Sequence, residues 1–434
     1  MSAATASAVD DLWASAEQAL VLMRRQGFEH AQVRVSSHRR HEVCVAHNEA
    51  SLLRSTQSSK LQLTGLLDGR RADIEGSELD AHSMQALVRG LWSNVAAAPQ
   101  DAANAVSAAQ NGQVVRGPEQ ADTAALADAM RQLLDWRAQH TPSVMLEEAL
   151  AGHTHVRSCT LTTGGSALHG CLGWYDAEAF GMAREGARSS SFNYGGGNAD
   201  TLVGEPIVHR FGLEGMLRAM TRSVHTEPLG ERFTGAVVLT PSAVGSLLEW
   251  FLGQLSDSML IAGSSVYRES LGQRVASPLI TLASRFDAPG VSPFSADAFV
   301  LAPVTLLDRG TLRCFTPSLY GSRKTGLAHV PVVESGWDIA AGDTPLDTLI
   351  AGVARGALVD RLSMGRPAAN GDFSGVIKNS FALRGGRIGP ALSETMIAGN
   401  VAQMLRDVSA VSAQRIDVGA WVLPWLRVEG LHFS

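Results

Sequence analysis

Apolar positions near the start of the chain recur at helical spacing. Leu12, Trp13, Ala16, Leu20 and Met23 share one face, Asp10 and Asp11 open the stretch, and Gly27 stops it. Three stretches then alternate with the period of a strand: Ala31–Ser36, His41–Ala46 and Lys60–Leu67. Helical spacing returns over Ala81–Val95 through Met84, Leu87, Val88 and Leu91. Helix, strands, helix predicts a layer of helices on a mostly antiparallel sheet. Ala96–Gln120 has no convincing period and reads as a linker, followed by a helix over Asp122–Gln139.

The next signal is a hairpin, His155–Thr163 and Leu168–Tyr175, turning through Thr163–Ser166. Ser189–Asp200 is rich in Gly and Asn and reads as a loop, and Pro206–Val224 has helical spacing. From about Gly235 the texture becomes Gly-punctuated strands and short helices. Ala236–Leu239 is a wholly apolar strand, and Pro241 suits the first turn of the helix that runs to about Leu255. Further strands are expected at Leu279–Leu282, Ala298–Val304, Thr311–Phe315 and Val418–Val428. The fold class is therefore α+β: an N-terminal helix-on-antiparallel-sheet region followed by a β-rich C-terminal domain. Boundaries are expected near 1–100, 101–230 and 231–434.

Composition narrows the function. The chain has 434 residues, 45% of them hydrophobic and 18% charged, which fits a globular protein and excludes general disorder. Its net charge of −6 provides no basic face for nucleic acid. The longest apolar runs fall short of the roughly 18 residues needed to span a bilayer. Met1–Leu12 has no basic residue, unlike a secretory leader, so a cytoplasmic location is expected. The four cysteines are spread at Cys44, Cys159, Cys171 and Cys314, too few for a disulfide scaffold.

Chemical motifs are sparse. The nucleophile elbow, the phosphate loop, the dinucleotide glycine pattern and the His-Glu-x-x-His zinc motif are all absent. His153, His155, Cys159, His169 and Cys171 would gather on one hairpin face. A turn at Gly164–Ser166 would set Cys159 opposite Cys171. Imidazole and thiolate are good zinc ligands. The same residues also fit an ordinary half-buried hairpin, and a slip in register would scatter them. His38–His41 reads as a solvated basic turn between two strands. Asp372 beside Ser374 reads either as an activated hydroxyl or as part of the turn after Asn370-Gly371.

Five C-terminal segments, in one order, take the reading further: Ser265–Val275, Ser318–Gly326, Asn370–Gly375, Ile397–Asn400 and Leu426–Gly430. Together they resemble the TldD/PmbA family, in which PmbA is also called TldE. That resemblance implies an N-terminal α+β region and a largely β C-terminal domain, paired into a two-subunit peptidase around an enclosed chamber. In the family one partner, TldD, carries His-Glu-x-x-x-His on the helix after an apolar strand, with a C-terminal Cys completing the metal site. The TldE partner lacks these ligands. Here Pro241 and Ser246 stand at the two histidine positions and Ser242 at the glutamate, and Val411–Arg427 contains no Cys.

The resemblance thus implies a chain of TldE type, with no cofactor of its own and no catalytic or metal residues. Zinc is expected in a TldD-type catalytic subunit that pairs with it as a heterodimer. The expected substrates are unstructured peptides such as natural-product precursors. No nucleic acid or membrane is expected as a partner. Ser242, Ser246, Asp372 and Ser374 are the expected substrate-binding residues. Two alternatives stand beside this reading. One is a homodimeric, chaperone-like protein that holds a peptide without cutting it. The other is a self-sufficient hydrolase built on the cysteine–histidine hairpin.

Overall fold

The structure, a computed structural model, describes residues 3–332 and 336–434, with side chains described from Asp11 onward. Helix α1 (Ala3–Gln26) begins ahead of the expected Asp10–Asp11 opening and buries Leu12, Ala16, Ala19, Leu20 and Met23. It ends at Gly27, whose φ of +104° favours glycine. Then come β1 (His30–Ala46), β2 (Glu49–Leu67), β3 (Arg70–Gly76) and α2 (Ala81–Ala97). The carboxylate of Asp80 caps α2 by accepting from the N–H groups of His82 and Ser83. The region closes with β4 (Asn111–Arg116), α3 (Thr123–His140), β5 (Val144–Thr162), β6 (Ala167–Glu185), β7 (Arg188–Ser189), β8 (Asn193–Ala199) and α4 (Leu213–Arg222).

These eight strands form one sheet in the order β3-β2-β1-β5-β6-β4, with β7 and β8 also paired to β6. Strands β5 and β6 have 19 residues each, roughly 60 Å at ~3.3 Å per residue. That length carries them beneath two helix layers. At one end α1 and α2 pack on Val33, Val35, Leu61, Leu63 and Leu161. At the other, α3 and α4 pack on Leu146, Ala149, Ala151 and Ala177. Strands from either side of residue 100 therefore share one sheet.

His38–His41 is not a turn, because it forms the middle of the single strand β1. Of its two arginines, Arg40 is paired with buried carboxylates. Arg40 donates through Nη1 and Nη2 to both carboxylate oxygens of Asp176, at 2.7 and 2.8 Å, and through Nε to Glu42 at 2.6 Å. Arg54 donates to the other oxygen of Glu42 at 2.7 Å. Ser189–Asp200 is likewise not a loop, since Asn193–Ala199 is β8, antiparallel to β6. A Cβ on Gly197 would meet Phe211 at 2.6 Å and the Cα of Val418 at 2.8 Å. The glycines that resembled a flexible loop instead permit a close approach. The segment read as a linker also contains β4, parallel to β6.

The C-terminal region begins with β9 (Thr226–Pro228), β10 (Phe233–Leu239), α5 (Pro241–Gln254) and α6 (Asp257–Ile261). It continues with β11 (Leu282–Ser284), β12 (Thr305–Asp308), β13 (Thr311–Leu312), α7 (Leu319–Thr325), β14 (Trp337–Ile339) and α8 (Leu346–Ala351). It closes with β15 (Arg355–Val359), β16 (Arg361–Ser363), β17 (Asp372–Lys378), β18 (Phe381–Arg384), β19 (Arg387–Ser393), β20 (Met396–Asn400), α9 (Val401–Arg406), β21 (Val408–Asp417) and β22 (Trp421–Phe433). The main path of this sheet runs β13-β12-β11-β14-β22-β10-β15-β18-β19-β9. The strand expected at Ala298–Val304 starts later, at Thr305. Ala298 sits at φ +61°, and Pro303 has no N–H to give a ladder. The architecture is α+β, with a β-rich C-terminal part.

Candidate functional site

A cavity of about 1060 Å³ lies between the two sheets, lined from Glu148 on β5 to Trp425 on β22. One of its walls is α5. Four consecutive buried residues, Ala236–Leu239, carry β10 through the core, and Thr240 then caps the helix through its hydroxyl. Ala243, Val244, Leu247, Leu248 and Phe251 face the core, while Ser242, Gly245, Ser246 and Glu249 face the cavity. Positions 242, 245, 246 and 249 are neighbours on one helical stripe. Ser242 and Ser246 are thus together in the cavity wall.

Asp372 and Ser374 are elsewhere. They are exposed on β17 and do not line the cavity. Asp372 accepts from Nδ2 of Asn370 at 2.8 Å and of Asn400 at 2.9 Å. These bonds, Asn400 first, hold its carboxyl below the usual range. They tie down a turn, and among the described residues no hydrogen bond joins Asp372 to the Ser374 hydroxyl.

The cysteine–histidine hairpin forms in a different register from the one expected. Cys159 lies opposite His169, and Arg157 opposite Cys171. The turn closes one residue earlier because Ser166 is bound into the strand, its N–H donating to Thr162 Oγ1 and its carbonyl accepting from Thr162 N. The shift of two positions keeps every side chain on its face, and His155, Cys159, His169 and Cys171 line one small pocket. His153 shares a hydrogen bond with the Pro118 carbonyl, and His169 stacks on Trp13 with ring centroids 4.6 Å apart. Burial pushes the Cys159 thiol up to about 12. The hydrogen bond among these side chains is His155 Nε2 to Cys171 Sγ at 3.2 Å, and burial holds that imidazole down near 4. Among the described residues no three His, Cys, Asp or Glu side chains converge to hold a metal ion.

The cavity has a polar corner that no motif announced. Strands β10 and β15 run parallel, so Thr240 and Asp360, each just beyond a strand end, lie side by side. The Thr240 hydroxyl donates to Oδ1 of Asp360 at 2.8 Å, and Asn193 Nδ2 donates to Oδ2 at 3.0 Å. Burial pushes the Asp360 carboxyl up, partly offset by these donors. Across from it on the register of β15 with β18 is Asn379, 4% exposed. Its Nδ2 donates to the Phe192 carbonyl, and its buried Oδ1 has no partner among the described residues. The one sequence signal was weak: a lone Asp ending an apolar strand, Gly356–Val359.

Strand β8 edges the cavity as well. The N–H of Asn198 leaves the sheet to donate to the Val418 carbonyl at 3.1 Å. Alternation along an antiparallel strand then turns the N–H and C=O of Gly196 to the same outer edge. Arg361 lies over the Tyr194 ring, 4.1 Å from its centroid.

Comparison with known proteins relates this geometry to a family. Residues 233–434 match the family model for the PmbA/TldA metallopeptidase C-terminal domain. A metalloprotease from Methanothermobacter thermautotrophicus is 23% identical over 42% of this chain and 44% of its own length. Metalloprotease PmbA from Escherichia coli is 26% identical over 39% of this chain and 41% of its own. The chain thus matches less than half the length of either curated relative. The crystal structure of TldE from Thermococcus kodakarensis superposes with a TM-score of 0.82 at 17% identity, covering 97% of this chain and 100% of that one. That likeness extends over both regions and concerns the fold. No helix among the described residues is long and apolar enough to cross a membrane.

Proposed function

This chain belongs to the PmbA/TldD family, and on that premise we propose that it is the metal-free, TldE-type subunit of a heterodimeric metallopeptidase. The observation that carries the reading is the stripe of α5 that faces the cavity. Where the family's catalytic partner has His, Glu and His, this helix has Pro241, Ser242 and Ser246. Proline has no donor atom, and a serine hydroxyl is a poor zinc ligand beside imidazole or thiolate. With Ser242 in place of glutamate, no carboxylate stands there to take a proton from a metal-bound water. A TldD-type subunit would supply the zinc and the base.

The role left to this chain is to form one wall of the substrate chamber. An extended peptide can add to a strand edge through backbone bonds, with little demand on its sequence. The outer edge of β8 at Gly196 supports that mode, since it borders the cavity. Substrates of this kind are unstructured peptides, natural-product precursors among them, processed in the cytoplasm.

The test is metal content and peptidase activity of the chain alone and mixed with a TldD-type subunit. The expected result is a metal-free, inactive chain that the mixture requires for full activity. Stoichiometric zinc with activity in the isolated chain would overturn the reading. Stable homodimers that bind peptide, with no gain from a partner, would favour the holding protein instead.

A further inference from the structure

The cavity lining contains five carboxylates, Glu148, Glu178, Glu249, Asp347 and Asp360, against three guanidinium groups. All three arginines are engaged. Arg218 pairs with Glu214 at 2.8 Å, Arg222 lies over the Phe381 ring, and Arg361 over Tyr194. The first four carboxylates are exposed and have no hydrogen bond or ion pair among the described residues. The lining is thus biased towards a cation.

Asp360 gives that bias a location. Two donors orient its carboxylate, from Asn193, 2% exposed, and from Thr240. Each oxygen keeps further acceptor capacity. Directly across lies Asn379, whose Oδ1 is a buried acceptor without a donor among the described residues. Burying such an acceptor unmatched is unfavourable, and this residue lines the same cavity as Asp360. A carboxylate and an amide oxygen on facing strands call for a group that is cationic, small and rich in donors. An ammonium carries three donors and one charge. A guanidinium is a wide planar fork that wants a bidentate face, and here Thr240 and Asn193 already occupy one position on each carboxylate oxygen.

We propose that the corner formed by Asp360, Asn379 and Asn193 is a recognition site for a primary ammonium group on a bound peptide. The ammonium is either the free N-terminus or a lysine side chain. In either case it donates to Asp360 and Asn379 while the peptide backbone runs along β8. The inference rests on the reading of the cavity as a peptide chamber and adds a charge preference to it.

Calorimetric titration of the full-length chain with six-residue, C-amidated Ala/Ser peptides tests it. Three probes are compared: a free N-terminus, an acetylated N-terminus, and an acetylated peptide with one central lysine. The expected result is that the free-amine or the lysine peptide binds about tenfold or more tighter than the neutral one, as suits a charge-assisted contact. Whichever gains identifies the source of the ammonium. Asp360→Asn is expected to bring that peptide to the affinity that the same variant shows for the neutral one. Equal binding of all three by the unmodified chain overturns the ammonium site alone, and does so without any variant. A preference that survives Asp360→Asn overturns it too. No binding of any probe overturns both the site and the chamber reading.

Discussion

At the scale of single residues, Arg40 is the cation shared by Glu42 and Asp176, which are 4% and 5% exposed. Burial alone would raise the Glu42 carboxyl, but hydrogen bonds from Arg40 and Arg54 outweigh it and hold the group below its ordinary 4.5. A depressed carboxyl stabilises the fold above its unfolded pKa, and that contribution is lost as pH falls through the folded value. Arg40→Ala leaves buried Asp176 without its cation and Glu42 with Arg54 alone, and is expected to cost about 3–5 kcal/mol in urea denaturation at neutral pH. The gap from the parent should narrow as pH drops below 4.5 and Glu42 protonates. A gap independent of pH over that range would show that packing, not charge, is what Arg40 supplies. The sequence showed this arginine only as part of a basic run. Its partners Thr154 on β5 and Asp176 on β6 became neighbours when the strands paired.

At the scale of elements, the β10–α5 unit was legible because its signals are local. Four apolar residues, then Thr-Pro, then apolar positions on one helical face specify strand, cap and helix without reference to the rest of the chain. What the local pattern concealed is the second role of the cap. The Thr240 hydroxyl accepts from Ala243 N and donates to Asp360. Thr240→Val keeps the shape and removes both bonds, with an expected loss of about 1–2 kcal/mol in thermal or chemical unfolding. Thr240→Ser should retain most of it. Equal loss in the two variants would implicate the methyl group rather than the hydroxyl. Strand β8 was missed for the converse reason: Tyr194–Asn198 has no apolar alternation, and its place in the sheet comes from pairing with β6.

At the scale of the whole molecule, one of the places where the two regions meet is where β8 passes the β21–β22 turn. Asn198 bonds Val418 there, and Gly197 packs against Phe211 and Val418. Gly197→Ala would press a methyl into backbone at that seam, with an expected loss of about 1–3 kcal/mol. Because the seam also shapes the cavity, weaker peptide binding should accompany it in calorimetry. Normal stability and binding would mean that the regions can part slightly without consequence. The cavity itself is a property of this scale, since its walls come from both sheets.

The amino-acid order alone determined what depends on near neighbours. Helices α1, α2, α3 and α5, the apolar strand β10 and the substitution of Pro241, Ser242 and Ser246 for metal ligands are all readable within a turn or two of chain. The long strand through His38–His41, the two-residue shift of the Cys159–His169 register and the meeting of Asp360 with Asn193 were decided by tertiary structure. In the first and last of these a polar group is satisfied by a partner far along the chain. A local pattern can show that a side chain is polar. Only the folded arrangement decides whether water or another residue satisfies it.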